Sequence, residues 1–144
     1  MKQEPIRFFY QAPAFFFPQR NKLKRFLKTL VKREGKGLES IRIIFCTDVQ
    51  LLAINRQFLQ HNYFTDIITF PFSGKGEPLE AELYISIDRI RSNAADWQTS
   101  VQRELHRVIF HGVLHLCGYN DKSSQQIKKM REREDYYLRL YFGK

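Results

Sequence analysis

The chain has 144 residues, enough for one domain with a buried core, and it is 43% hydrophobic and 15% aromatic, as in a globular protein. A formal net charge of +9 favours a polyanionic partner, either nucleic acid or an anionic membrane surface. No stretch approaches a membrane span, Glu4, Pro5, Arg7 and Pro13 interrupt any signal-peptide core, and Cys46 and Cys117 cannot build a disulfide framework, so a soluble, reduced, cytoplasmic protein is expected.

In chain order, IRFFY (residues 6–10) and AFFF (residues 14–17) read as strands. Pro18 precedes an amphipathic helix predicted over residues 19–34. In it Leu23, Phe26, Leu27, Leu30 and Val31 share one face, and Lys24, Lys28 and Lys32 form a separate stripe. The glycines of GKG close that helix. SIRIIFCT (residues 40–47) is predicted as a strand, and Asp48 as the cap of the helix VQLLAINRQFL that follows. DIITFPF and AELYISI read as two strands joined in hairpin fashion by the turn-rich SGKGEP. From Asp88 onward the pattern is helical: a short segment to Trp97, a longer one over residues 101–117 ended by Gly118, and a last one over residues 123–142. Strands first and helices last predict an α+β fold, a single domain over residues 1–144 with helices packed on one mixed sheet of about four strands.

The stretch FHGVLHLCGYND (residues 110–121) carries the chemistry. Helical residues four apart stand one turn above the other, so His111 and His115 can point both imidazoles at a single ion at the C-terminal end of a central helix. Gly118 then stops the helix, and Asp121 can return from the turn as a third ligand, in the pattern H-x3-H-x2-G-x2-D. This donor set suits one zinc ion or a similar divalent transition metal and leaves a fourth position open, the mark of a catalytic site. Such an ion lowers the pKa of its water from about 15.7 to roughly 7 and polarises a carbonyl or phosphoryl oxygen. Two histidines at this spacing are otherwise often core side chains; the glycine and aspartate make the pattern more specific. Cys117, about 200° around the helix from His115, is read as core. His61 and His106 fall outside the cluster as ordinary polar residues.

The zinc-protease pattern H-E-x-x-H has a glutamate base directly after its first histidine, where this chain has Gly112. Its absence argues against a peptidase. Phosphodiester hydrolysis demands less of a side-chain base, because the ion and charge neutralisation supply much of the effect. Glycine is also expected to let another backbone or a bulky substrate approach the ion.

HGVLHLCGYND resembles the HGxLHLxGYDH signature of the YbeY family, bacterial endoribonucleases and ribosomal RNA maturation factors. FTDIITFPF (residues 64–72) is similar to that family's PTDVLSFPF, AELYISID (residues 81–88) stands where the family has GDIxIS, and Met130 with Glu134 fits its M-x3-E. The resemblance implies a compact α+β fold, one zinc-like ion, rRNA precursor and ribosomal subunit as partners, and a role in rRNA maturation and ribosome quality control. Neither membrane nor small-molecule cofactor is implied. His111 and His115 match the first two ligands, and Asp121 falls where the third histidine usually lies, a carboxylate that makes the ion less electrophilic. Leu59 occupies a position where the family commonly has arginine. Arg56, one turn earlier on the same helix face, is the candidate catalytic replacement. Asp66 is the candidate to orient a ligand histidine through its other ring nitrogen. Glu82 replaces the aspartate of the GD pair, Thr65 and Thr69 either line the cleft or hold the strand's start, and Phe70 and Phe72 are expected in the core.

From Arg20 to Lys36, eight basic residues stand against Glu34 alone, so one face of the first long helix is a nearly pure positive strip. Lys24, Arg25, Lys28 and Lys32 are the candidate RNA-binding residues, contacting phosphates without reading sequence. The last helix mixes both signs and is read as a solvated packing helix. The leading expectation is a metal-dependent endoribonuclease in which water or the RNA 2′-hydroxyl attacks. The alternatives are a non-catalytic ribosome-associated RNA-binding factor with a structural metal, and a zincin-like metalloprotease.

Overall fold

A computed structural model describes residues 4–13, 15 and 17–143. The period-two alternation of its strands decides the layers. In β2 (Leu38–Cys46), Ile41, Ile43 and Phe45 enter one large core while Cys46 packs on the opposite side, and in β4 (Leu79–Ser86), Leu79, Leu83 and Ile85 enter that core while Tyr84 does not. With β1 (Ile6–Tyr10) and β3 (Ile67–Pro71) they form one sheet in the order β1-β2-β4-β3, where β1, β2 and β4 are parallel and β3 is antiparallel to β4. Helix α1 (Arg20–Arg33) connects β1 to β2 and buries Leu23, Leu27, Leu30 and Val31, the face its periodicity marks. Helix α2 (Asp48–Leu59) lies on the other side of the sheet, with Leu51 against Cys46 and Ile68. Helices α3 (Ile87–Asp96), α4 (Val101–Leu116) and α5 (Ser124–Phe142) follow, and α4 touches β3, β4, α1, α3 and α5. The single-domain α+β arrangement with a central helix is the one the sequence implies.

Four details differ from the sequence reading. Thr47, not Asp48, caps α2: its hydroxyl accepts from Gln50 N (3.2 Å) while the Gln50 side chain accepts from Thr47 N (2.9 Å). Asp48 instead takes Arg89 Nη2 at 2.7 Å and the Ser86 hydroxyl at 2.8 Å. Phe72 comes just after the end of β3 and is exposed, whereas Phe70 packs against Phe58 and Tyr84. His106 is buried among Phe17, Phe110, Tyr141 and Phe142, and burial pushes its pKa down to about 4. Of AFFF, Ala14 and Phe16 lie outside the described residues, while Phe15 and Phe17 belong to no strand. Among the described residues, no helix is long and apolar enough to cross a membrane.

Gly112 is where α4 meets the sheet. A Cβ there would come within 2.6 Å of Ile67 Cδ1 and 3.2 Å of Leu83 Cδ1. The position therefore faces β3 and β4, not the histidine face, which corrects the expectation that glycine opens an approach to the ion. A residue one step along a helix is rotated by about 100° from its neighbour, and that rotation turns position 112 into the core. Gly112→Glu, which would restore the protease pattern, places an unpaired carboxylate against Ile67 and Leu83. It is expected to lower stability by at least about 3 kcal/mol in urea unfolding and to confer no peptidase activity.

Candidate metal centre and substrate cleft

The outward face of α4 carries Arg103, Arg107, His111 and His115, each four residues after the last. Across from it, α5 presents Met130, Arg131 and Glu134. Together with Asp66, Asn93, Trp97 and Asp121 these elements wall a cleft of about 690 Å³ that includes His111 but not His115. Gly118, at φ +112°, takes the left-handed conformation that ends α4 and sends residues 119–121 back along the cleft's rim.

Glu134 organises this cleft. Its carboxylate is buried on α5, and both oxygens are used on α4: Arg107 Nη1 donates to Oε1 at 2.9 Å, and His111 Nδ1 stands 2.8 Å from Oε2. Arg107 also donates to Asp135 Oδ1 at 2.7 Å. Burial disfavours the His111 imidazolium, but Glu134, with Asp121 and Asp66 behind it, outweighs burial and raises the pKa. His111 Nδ1 bonded to a carboxylate leaves Nε2 as its free ring nitrogen, and Nε2 lies 3.3 Å from Asp121 Oδ2. His115 is exposed and fixed in the same sense, with Nδ1 3.0 Å from the Tyr119 carbonyl. Tyr119 is itself held, its hydroxyl donating to Glu34 Oε1 at 2.8 Å.

These donors fit a divalent transition metal in their chemistry. Both imidazoles have Nδ1 engaged by an acceptor, the arrangement that leaves Nε2 for a metal. Two atoms each about 2.0–2.1 Å from one tetrahedral ion stand roughly 3.3–3.4 Å apart, and the His111–Asp121 pair is at that spacing. The full set is not drawn together: among the described residues, no three His, Cys, Asp or Glu side chains are grouped to surround an ion.

The remaining expected site residues separate into those in the cleft and those outside it. Asp66 lines the cleft, but the carboxylate on His111 is Glu134; Asp66 Oδ2 accepts from Asn93 Nδ2 at 3.4 Å. Burial raises the Asp66 pKa, against the opposing charge of His111. Arg56 does not line the cleft. It is exposed near the end of α2, on the far side of the sheet from α4, and its Nε donates to Asn62 Oδ1. Glu82 pairs with Arg42 at 3.0 Å on the sheet and stays out of the cleft. Lys24, Arg25, Lys28 and Lys32 lie along α1 away from the cleft; Lys28 pairs with Glu4 at 2.9 Å, and Lys24 Nζ stands 6.0 Å from the Phe8 ring centroid. Cys117 is buried, with its thiol pKa pushed up to about 12, as a core residue should be. Glu134, Arg107 and Arg131 carry no site role in the sequence reading. The i−4 spacing of Arg107 from His111 was a usable signal for one of them.

The model of one family, "Endoribonuclease YbeY", matches residues 16–141. Relatives named Endoribonuclease YbeY include one from Cytophaga hutchinsonii, 43% identical over 97% of this chain and 98% of its own. Another, from Bacteroides thetaiotaomicron, is 42% identical over 91% of this chain and 96% of its own. Among solved structures, a Thermotoga maritima protein determined in solution superposes with a TM-score of 0.67 at 26% identity, covering 96% of this chain and 89% of that one.

Glu34, at the C-terminal end of α1, also accepts from Arg133 Nη2 at 2.8 Å and from the Tyr137 hydroxyl. Burial opposes its ionisation, yet the bonds from Tyr137, Arg133 and Tyr119 hold its pKa below the ordinary 4.5. A carboxylate with a depressed folded pKa adds stability above its unfolded pKa, and that stability is lost as pH falls through the folded value. Glu34→Gln is expected to cost about 1–2 kcal/mol at pH 7, the range of charge-assisted hydrogen bonds discounted for partial exposure. The difference from wild type in urea unfolding should shrink as pH drops below 4.5.

Proposed function

The chain belongs to the YbeY family of endoribonucleases, RNA-hydrolysing enzymes of rRNA maturation, and we propose that it works through a single divalent, zinc-like ion held by His111, His115 and Asp121. The observation that carries this reading is the pair of fixed histidines, with Glu134 on His111 Nδ1 at 2.8 Å and the Tyr119 carbonyl on His115 Nδ1 at 3.0 Å. When bound, the ion supplies Lewis acidity toward a phosphoryl oxygen. The chain's own residues do the rest. Glu134 orients His111 and neutralises Arg107, so the base of the cleft is an ordered, compensated ion network. Arg131 is exposed on α5 beside it, 3.8 Å from Glu134, where a guanidinium can meet a substrate phosphate in the role first given to Arg56.

The α1 lysines and arginines serve as a docking strip outside the cleft, reaching phosphates remote from the scissile one. rRNA precursor is the proposed substrate, the ribosomal subunit the proposed partner, and the cytoplasm the proposed location. The peptidase reading has no support in the core-facing Gly112. The non-catalytic reading is set aside by membership in a family of nucleases.

The test joins metal analysis to cleavage of a structured rRNA precursor. His115→Ala is expected to lose the ion and to cut RNA at least 100-fold more slowly; cleavage unchanged in that variant would sink the assignment. Glu134→Gln keeps all three ligands and should bind the ion about 10- to 100-fold more weakly.

A further inference from the structure

We propose that Trp97 is a stacking platform for an unpaired nucleobase of the substrate RNA at the mouth of the cleft. The proposal rests on the nuclease reading and adds a binding contact to it. Trp97 is the chain's single tryptophan and is 71% exposed, yet it lines the same cleft as His111 and Asp121. Its backbone is fixed. It caps the end of α3, where its N–H donates to the Asn93 carbonyl at 2.9 Å. Gln98 then takes the left-handed conformation at φ 55°, and Thr99 N donates back to the Ala94 carbonyl at 3.0 Å. The indole is therefore presented from a rigid corner between α3 and α4. Among the described residues no aromatic ring or cation covers it.

Charge explains why such a contact is needed. The cleft lining holds three arginines and four carboxyl groups, and Arg107 is already committed to Glu134 and Asp135. The protein's own groups in the cleft therefore offer no surplus positive charge for phosphates, unlike the strip on α1. Beyond Arg131 and a bound ion, a grip on RNA at this point gains from a contact independent of charge, and base–aromatic stacking is such a contact because every base has a π face. A paired base keeps both faces stacked within its helix, so the platform selects single-stranded RNA.

The single indole makes the test direct. Full-length protein is titrated with a fluorescently labelled single-stranded oligoribonucleotide, following both oligonucleotide anisotropy and tryptophan emission. The expected result is saturable quenching of the indole with the same Kd as the anisotropy change. Trp97→Ala should bind roughly tenfold more weakly, and by the same factor at low and high salt, whereas the loss in Lys32→Ala should fade as salt rises. Trp97→Phe should recover most of the affinity, and in cleavage assays the Trp97→Ala defect should fall on KM. Tight binding with indole emission unchanged, or with Trp97→Ala binding as well as wild type, overturns the platform and leaves the nuclease reading standing. Wild-type protein that neither binds nor cuts RNA overturns both.

Discussion

The cleft depends on one buried carboxylate. Glu134 spends one oxygen on Arg107 and the other on His111, and so ties α5 to the outward face of α4 through two charge-assisted bonds. A carboxylate this buried is costly unless both oxygens are satisfied, and the two partners it finds are a cation that structures the cleft floor and a candidate metal ligand. Stability and the orientation of His111 are therefore bound to the same atoms. The packing of α4 against α5 and the orientation of the first histidine cannot be tuned apart.

A second network closes the opposite end of the site. Glu34 on α1 collects Tyr119, Tyr137 and Arg133 from the rim loop and α5, and Tyr119 in turn fixes His115 through its carbonyl. The two candidate histidine ligands are thus oriented by different means, His111 by a carboxylate and His115 by a backbone oxygen. The carboxylate raises the basicity of the His111 imidazole that it holds. Asp121 adds a further negative charge to the His111 side, so the electrostatics of the set are asymmetric.

Much of this was legible in the sequence because it is written in local periodicity. The apolar face of α1, the alternation in β2 and β4, the four-residue spacing of His111 and His115 and the helix stop at Gly118 all follow from geometry within a few residues. What escaped depends on contacts across the fold. Glu134 is 23 residues from His111 and belongs to a helix whose mixed charges look merely solvated. Arg56 has the right residue type and helical phase, but α2 packs on the wrong face of the sheet, which no local pattern reveals. The inward turn of Gly112 was in principle deducible from helical phase. Only the position of β3 and β4 shows that the neighbouring space is filled.

The order of synthesis gives the Glu134 bridge another meaning. Arg107 and His111 are made before the residue that pairs with them, and α4 emerges with its outward face bare until α5 follows. A partly made chain therefore has neither an oriented His111 nor a finished cleft wall. The wall of the cleft and the orientation of His111 thus arrive in one step, when α5 packs back on α4.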